Sequence, residues 1–468
     1  MKKILLISFM SVLSIFAAKA GHFVTPGNGT HYTMALLAAT EGSGVDYSTT
    51  AMGDVFTIND SITISAGDSL TIDGDVAMIL LKDKVLIAIL GYGEIVSDGQ
   101  TIAILPYGRE DNPYNIVFGN PDQRVQIRNV EFITVGVTDR GTQGMDLEKV
   151  GFYSHNGSNG TKAALQLGPS GASYTVKNCV FTDGQSCAIA GAANYSTPVV
   201  IESCRFERNV KLNRNTPQVN LTAADSIVIR NCSVYGDSTL SKVGGIAVSN
   251  FISYPNALLL IENCEVKDHR YGITTSGAVY SVIRNNIIVN NKFDPNPMTG
   301  GSGISLYDSS QKATSMISGN QIEGNLWGIT VIGCASVNIG RIDVDPSARD
   351  YNPGGNTFMG NGNSGELYDV YNNSANTVYA QNNTWGVTVQ DSVSIEGVVF
   401  HKNDDPSLGE VIFMPCAVTN AISTATASSE KPASAAIYNL QGIRQKSTDL
   451  QQLPKGIYIR SGKKVVRK

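Results

Sequence analysis

The chain has 468 residues, of which 16% are charged and 42% hydrophobic, and its formal net charge is −5 at pH 7. That length suffices for a large core, and no basic stripe offers itself to phosphates, which excludes nucleic acid as an expected partner.

At the N-terminus Lys2 and Lys3 precede an apolar run from Ile4 to Ala17, and Ala18-Lys19-Ala20 forms an A-x-A site before Gly21. This is the pattern of an export signal over residues 1–20, cleaved after Ala20. The run is too short for a bilayer and no later stretch approaches it, so no transmembrane segment is expected. Residues 21–54 are rich in Gly and Thr and are expected to cap the fold, with Met34–Ala39 as a short helix. Ile62 to Ile72 then alternates apolar and polar residues, and Gly91-Tyr92-Gly93 marks a turn, a pattern suited to short strands.

From there a six-residue phrase recurs ten times. Strong copies start at Ile127 (IRNVEF), Val176 (VKNCVF), Ile201 (IESCRF), Ile229 (IRNCSV), Ile261 (IENCEV), Ile283 (IRNNII) and Ile317 (ISGNQI), and weaker ones at Leu147, Pro353 and Ala380. The starts lie 20 to 36 residues apart, the interval of a solenoid whose repeats each close one turn. First and sixth places are apolar and the second is polar, so the strand alternation shifts by one residue within the phrase. A bend at the third and fourth places does this, and Asn tolerates the left-handed backbone such a bend requires. Phe132, Phe152, Phe181 and Phe206 should form an inner aromatic row, continued by Val234, Val266, Ile288 and Ile322.

A second phrase follows at variable distance, with Gly-Ile at Gly245, Gly272, Gly303 and Gly328. It supplies a third strand per coil. The expectation is an all-β fold, a parallel β-helix with three short strands per coil and roughly 12–13 coils across residues 55–416.

There are seven cysteines, a number that suggests disulfides in an exported chain. Cys179, Cys204, Cys232 and Cys264 all occupy the fourth place of the phrase, held by Asn286, Asn320, Asn356 and Asn383 in later copies. A place that accepts either residue wants a small side chain at an inward turn, which predicts a stacked row of free thiols. The state of Cys187, Cys334 and Cys416 stays open.

The constellation resembles the right-handed parallel β-helix superfamily, the fold of pectate lyases and of many bacterial surface proteins. The resemblance implies an interior Asn ladder at the phrase's fourth place. Residues 383–416 are similar to the closing coils of such proteins. After Cys416 the composition changes: residues 417–435 are rich in Ala, Ser and Thr and read as a linker. Residues 436–468 hold three short apolar alternations, at Ile437–Leu440, Ile457–Ile459 and Val465-Val466, expected to form a small β domain. Tyr438 with Gly442, then Pro454, Gly456 and Tyr458, then Gly462, Lys463 and Lys464 resemble the motifs of the C-terminal sorting domain of type nine secretion in Bacteroidetes. That resemblance implies an outer-membrane secretion translocon as partner. It also implies a secreted or surface location in a Gram-negative bacterium.

Sugar-cleaving β-helix enzymes need carboxylates with Lys or Arg in a groove over one strand row. The outward neighbours on the Gly-Ile strands here are Ala247, Thr274, Ser305 and Thr330, none of them ionisable. The loops offer Asp268, His269 and Arg270 as catalytic candidates, expected to be a solvated turn. Asp343 and Asp345 offer oxygen ligands for Ca²⁺, but two aspartates do not make a site, and no cofactor is expected. Tyr254, Tyr271, Tyr280, Tyr307 and Tyr351 are candidates for stacking on sugars. The preferred reading is a non-catalytic, adhesin-like or glycan-contacting protein, with glycans or a host surface as partners. The alternative is a polysaccharide lyase or glycoside hydrolase acting on uronic-acid-containing glycans.

Overall fold

The structure, a computed structural model, describes residues 21–108, 114–156, 163–168, 171–191, 198–222, 225–250, 257–294, 296, 299–333, 336–363, 365–417, 437–439, 449–460 and 463–467. The chain divides into two units, Met1–Val418 and Thr419–Lys468. The expected export signal and most of the expected linker lie outside the described residues, as do Tyr254, Cys334, Gly442 and Gly462.

The first unit is a stack of coils. Among the described residues its first sheet has 14 strands running from His22–Val24 to Val399–Phe400. A 25-stranded sheet makes the other two sides, merged where the ten-residue strands Arg124–Ile133 and Gly144–Tyr153 cross from one side to the next. One coil shows the pattern: Gly244–Asn250 lies in the first sheet, Leu258–Glu262 on the second side and Glu265–Lys267 on the third, before Ile273–Gly277 re-enters the first sheet. Each strand pairs in parallel with its counterpart one coil on, Ile246 with Ile273, Ile261 with Ile283 and Val266 with Ile288. Parallel neighbours need a crossover, and here the other two sides of the coil provide it. The fold is an all-β parallel β-helix with three short strands per coil.

The phrase bends at its third place. Asn129, Asn178, Ser203, Asn231, Asn263 and Asn285 have φ of 57°, 54°, 55°, 56°, 53° and 56°, left-handed values that short polar side chains tolerate best. The fourth place then points inward. Cys179, Cys204, Cys232 and Cys264 are buried and unbridged, and their thiols lie against backbone carbonyls, as Cys264 Sγ does on Glu262 O at 3.3 Å. Where Asn takes over, a ladder forms: Asn286, Asn320 and Asn356 each donate from Nδ2 to the Oδ1 of the next Asn at 2.9 Å, ending on Asn383. Each rung satisfies amide groups that would otherwise be buried without partners. At the sixth place Phe132, Phe152, Phe181 and Phe206 stack with ring centroids 5.0, 4.9 and 5.0 Å apart, and all four are fully buried. The row resumes with Phe358 on Trp385 at 5.1 Å. Burying each of these rings contributes about 2–3 kcal/mol.

A second inner polar row sits at the next corner, and the sequence reading missed it. Five places after Cys204, Cys264, Asn286, Asn320 and Asn356 stand Asn209, His269, Asn291, Asn325 and Asn361, all buried. The glycine of the Gly-Ile phrase makes room for it: a Cβ on Gly303 would lie 2.9 Å from Asn325 Nδ2, and one on Gly272 3.1 Å from Asn291 Nδ2.

The helix Met34–Ala39 covers the first coils with Met34 and Leu37 buried, its N-terminus capped by Thr33, whose side chain accepts from Leu36 N. In the second unit, Ile437–Asn439, Gly456–Arg460 and Lys463–Arg467 form a three-stranded antiparallel sheet.

Candidate functional site

The outer face of the first sheet carries one continuous register row. From Thr63 it runs through Ala88, Val117, Thr138, Gln166, Ala190, Asn220, Ala247, Thr274, Ser305 and Thr330 to Tyr371 and Phe400. No carboxylate, imidazole or cation occurs in it. Ile246, Val248, Ile304, Leu306, Ile329 and Val331 alternate inward with almost no exposure, so the sheet face is locked in this register.

At its C-terminal end the row turns aromatic. Tyr371 stacks on Phe400 with centroids 4.5 Å apart and planes 8° apart. Trp327 stacks on Tyr368 at 5.1 Å and meets Tyr371 edge-on at 5.1 Å. All four rings are half-buried. On the same face Tyr307 pairs in register with Ile332, and both are exposed. Burial, helped by Glu366 and Asp404, raises the Tyr368 hydroxyl above its ordinary pKa, and burial with Asp404 and Asp405 does the same for Tyr371. The arrangement is an apolar platform edged by carboxylates, suited to the faces and hydroxyls of a sugar chain.

Earlier in the stack, the turns that enter the first sheet form a groove of about 610 Å³ lined by residues 212–215, Ser241, Lys242, Arg270, Asp294 and Thr299. Tyr271 lies at its edge, its ring over Gly244, where a Cβ would come within 2.1 Å of it. Arg270 stands 5.9 Å from the centre of that ring.

The three catalytic candidates do not converge, and the expected solvated turn is corrected at its central residue. His269 is 1% exposed inside the helix. Its backbone N–H donates to Asn291 Oδ1 at 3.2 Å, and its Nε2 lies 2.8 Å from Gln218 Nε2. Burial pushes its pKa down to about 3, so it stays neutral. The left-handed Asp268, with φ of 63°, turns the chain so that the next side chain faces inward. Asp268 accepts from Asn290 on the outside, and Arg270 pairs with Asp294 at 2.7 Å.

The two Ca²⁺ candidates also have separate partners. Asp343 lies 3.5 Å from Arg341, while Asp345 accepts from Ser347 N and Oγ at 2.8 and 2.6 Å. Among the described residues no group of three or more His, Cys, Asp or Glu could hold a metal ion, and no helix is long and apolar enough to cross a membrane. Of the stacking candidates, Tyr307 is exposed on the outer face of the first sheet, and Tyr271 lies next to the groove-lining Arg270. Tyr351 sits in the loop that turns at Ala348. Of the tail motifs, Tyr438, Gly456, Tyr458, Lys463 and Lys464 lie on the antiparallel strands and Pro454 just before the second.

The family model described as right handed beta helix region matches residues 170–341, and the parallel β-helix is right-handed. Among solved structures, the chain is similar to the periplasmic alginate epimerase AlgG at 10% identity, covering 82% of this chain and 83% of that one, with a TM-score of 0.37. A double mutant of that epimerase gives 10% identity, 83% coverage of both chains and a TM-score of 0.39. No curated protein matches the chain.

Proposed function

We propose that this is an exported β-helix protein that contacts glycans through the outer face of its first sheet and does not cleave them. The observation that carries the reading is the cluster of Trp327, Tyr368, Tyr371 and Phe400 at the end of an outward row without carboxylate, imidazole or cationic side chains. Stacked rings offer a sugar its best apolar contact, and the row beside them offers no acid, base or nucleophile for glycosidic chemistry. The pattern of residues 1–20 supports export. The motifs from Tyr438 to Lys464 support passage through an outer-membrane translocon and a secreted or surface location. An adhesin-like role follows from that location and this face.

Besides the loop groove with Asp294, Arg214, Lys242 and Arg270, a second arrangement among the described residues favours the enzyme reading. Asp183, Glu207, Arg208, Lys211 and Asp237 gather at adjoining turns, with Arg208 3.0 Å from Asp183 and Lys211 3.2 and 3.5 Å from Asp183 and Asp237. These carboxylates are ion-paired, and Arg208 first among the causes holds Asp183 down to about 2. A general acid needs a proton near neutral pH, so a carboxylate held this low is unsuited to that role. Incubation of the purified protein with pectin, alginate and glycosaminoglycans tests the point. Unchanged polymer length is expected; new unsaturated or reducing ends would refute the non-catalytic reading.

A further inference from the structure

We infer that the loop groove is an anion subsite of the same glycan site: it takes the carboxylate or sulfate of an acidic sugar while the apolar faces of further sugar rings lie on the aromatic cluster. The inference rests on the glycan-contacting reading above. The groove's floor is the pair of Arg270 and Asp294, whose side chains are only 12% and 10% exposed. Arg270 also donates to Asn215 Oδ1 and to the Thr299 carbonyl, so its guanidinium is held in place by three partners. Above this floor Arg214 and Lys242 line the groove from two successive coils, both exposed and neither with an acidic partner among the described residues. Their neighbour Lys211, by contrast, is paired with two aspartates. In a chain of net charge −5, three cations facing one carboxylate make a local positive concavity, which draws in anions.

Position ties the groove to the aromatic face. Both lie where the chain enters the first sheet: Gly245 N donates to Tyr271 O and Gly272 N to Ser302 O, and Ser302 pairs with Trp327. One edge therefore carries Lys242, then Tyr271, then Trp327 in order along the stack. Coils repeat every ~4.8 Å, comparable to the length of one sugar ring. A polysaccharide lying along the stack thus places successive residues over successive coils. Arg214, with its planar fork, suits carboxylate and sulfate alike.

The test measures binding of the full chain to two matched pairs, polygalacturonate against its methyl ester and dextran sulfate against dextran. The wild type is compared with R214A/K242A and with W327A. Arg214 and Lys242 are exposed, and far-UV circular dichroism checks that the fold is kept. At least tenfold tighter binding of an acidic polymer than its neutral match is expected. R214A/K242A should abolish that preference, and W327A should weaken acidic and neutral polymers alike. Preference within the first pair alone names a carboxylate, and within the second alone a sulfate. Equal binding within both pairs, a preference that survives R214A/K242A, or no binding at all overturns the subsite. If neutral binding is unchanged in W327A while the charge preference depends on Arg214 and Lys242, the subsite stands and the aromatic reading falls.

Discussion

Asn361 donates from Nδ2 to the carboxylate of Asp369 across 3.0 Å, and this bond ends the second inner polar row. Upstream, Asn291 donates to Asn325 and Asn325 to Asn361, each at 3.0 Å. Downstream, Gly386 N donates to the other Asp369 oxygen at 2.7 Å. The coils beyond Asn361 are thus joined to the ladder through one buried acid.

Burial raises the Asp369 pKa from 3.8 to about 6. The folded value lies above the unfolded one, so the protonated form is the stabilising one. Its contribution is complete below about pH 4 and is lost as pH rises through about 6. A shift of about two units corresponds to about 3 kcal/mol. Relative to D369N, which cannot titrate, the wild type should therefore lose melting temperature between about pH 4 and 7. A constant difference between the two over that window would contradict this.

His269 has the opposite sign. Burial lowers its pKa from 6.5 to about 3, so its contribution is complete above about pH 6.5 and is lost as pH falls toward about 3. H269N puts at this corner the residue that Asn291 and Asn325 supply in the next coils. Urea unfolding of the wild type should show a loss on the order of 3 kcal/mol between pH 7 and 4.5 that H269N lacks. An equal loss in both proteins would show that another group carries the acid sensitivity.

Asn320 donates to Ile283 O and Asn356 Oδ1, and its own Oδ1 accepts from Asn286 N and Nδ2. N320A leaves several buried groups without partners and should cost about 2–4 kcal/mol. C264A removes a weak thiol donor and a little packing, and should cost about 1 kcal/mol. Chemical denaturation of both variants checks the order of the two values.

Much of this was legible in the sequence, for a physical reason. Stacked coils force like residues into like places, so the Asn and Cys at the fourth place and the Phe at the sixth disclosed the inner rows directly. The second inner row carries the same signal five residues further on, because the third strand is only three residues long. It lies beyond the sixth place, where the phrase ends, so the sequence pattern alone puts His269 in a solvated turn. The aromatic face was less legible. Trp327 and Tyr371 are one coil apart in space but separated by the long insertion around Arg341–Tyr351, which hides their register. Tyr307 and Tyr271 stand among the stacking candidates read from the sequence, whereas Tyr368 and Tyr371 do not. The groove was not legible, since turns of unequal length bring Arg214, Lys242 and Arg270 together.

The thiols offer a test of the inner row. Cys179, Cys187, Cys204, Cys232 and Cys264 are buried and Cys416 is partly exposed, and burial pushes the Cys187 thiol up to about 12. Only thiolate reacts readily with alkylating reagents. Brief treatment of the native protein with iodoacetamide should label Cys416 before any of these five buried thiols, which should react only after unfolding. Peptide mass spectrometry reads this, and early labelling of Cys204 or Cys232 would contradict the buried row.

The most direct measurement is the affinity of the wild type and of a W327A/Y371A variant for a panel of soluble polysaccharides, with product analysis of the same mixtures. Binding by the wild type, a loss of at least tenfold in the variant and polymers of unchanged length are predicted. Binding that survives loss of both rings, or any polymer shortened by the wild type, would contradict a non-catalytic glycan-contacting face on the first sheet.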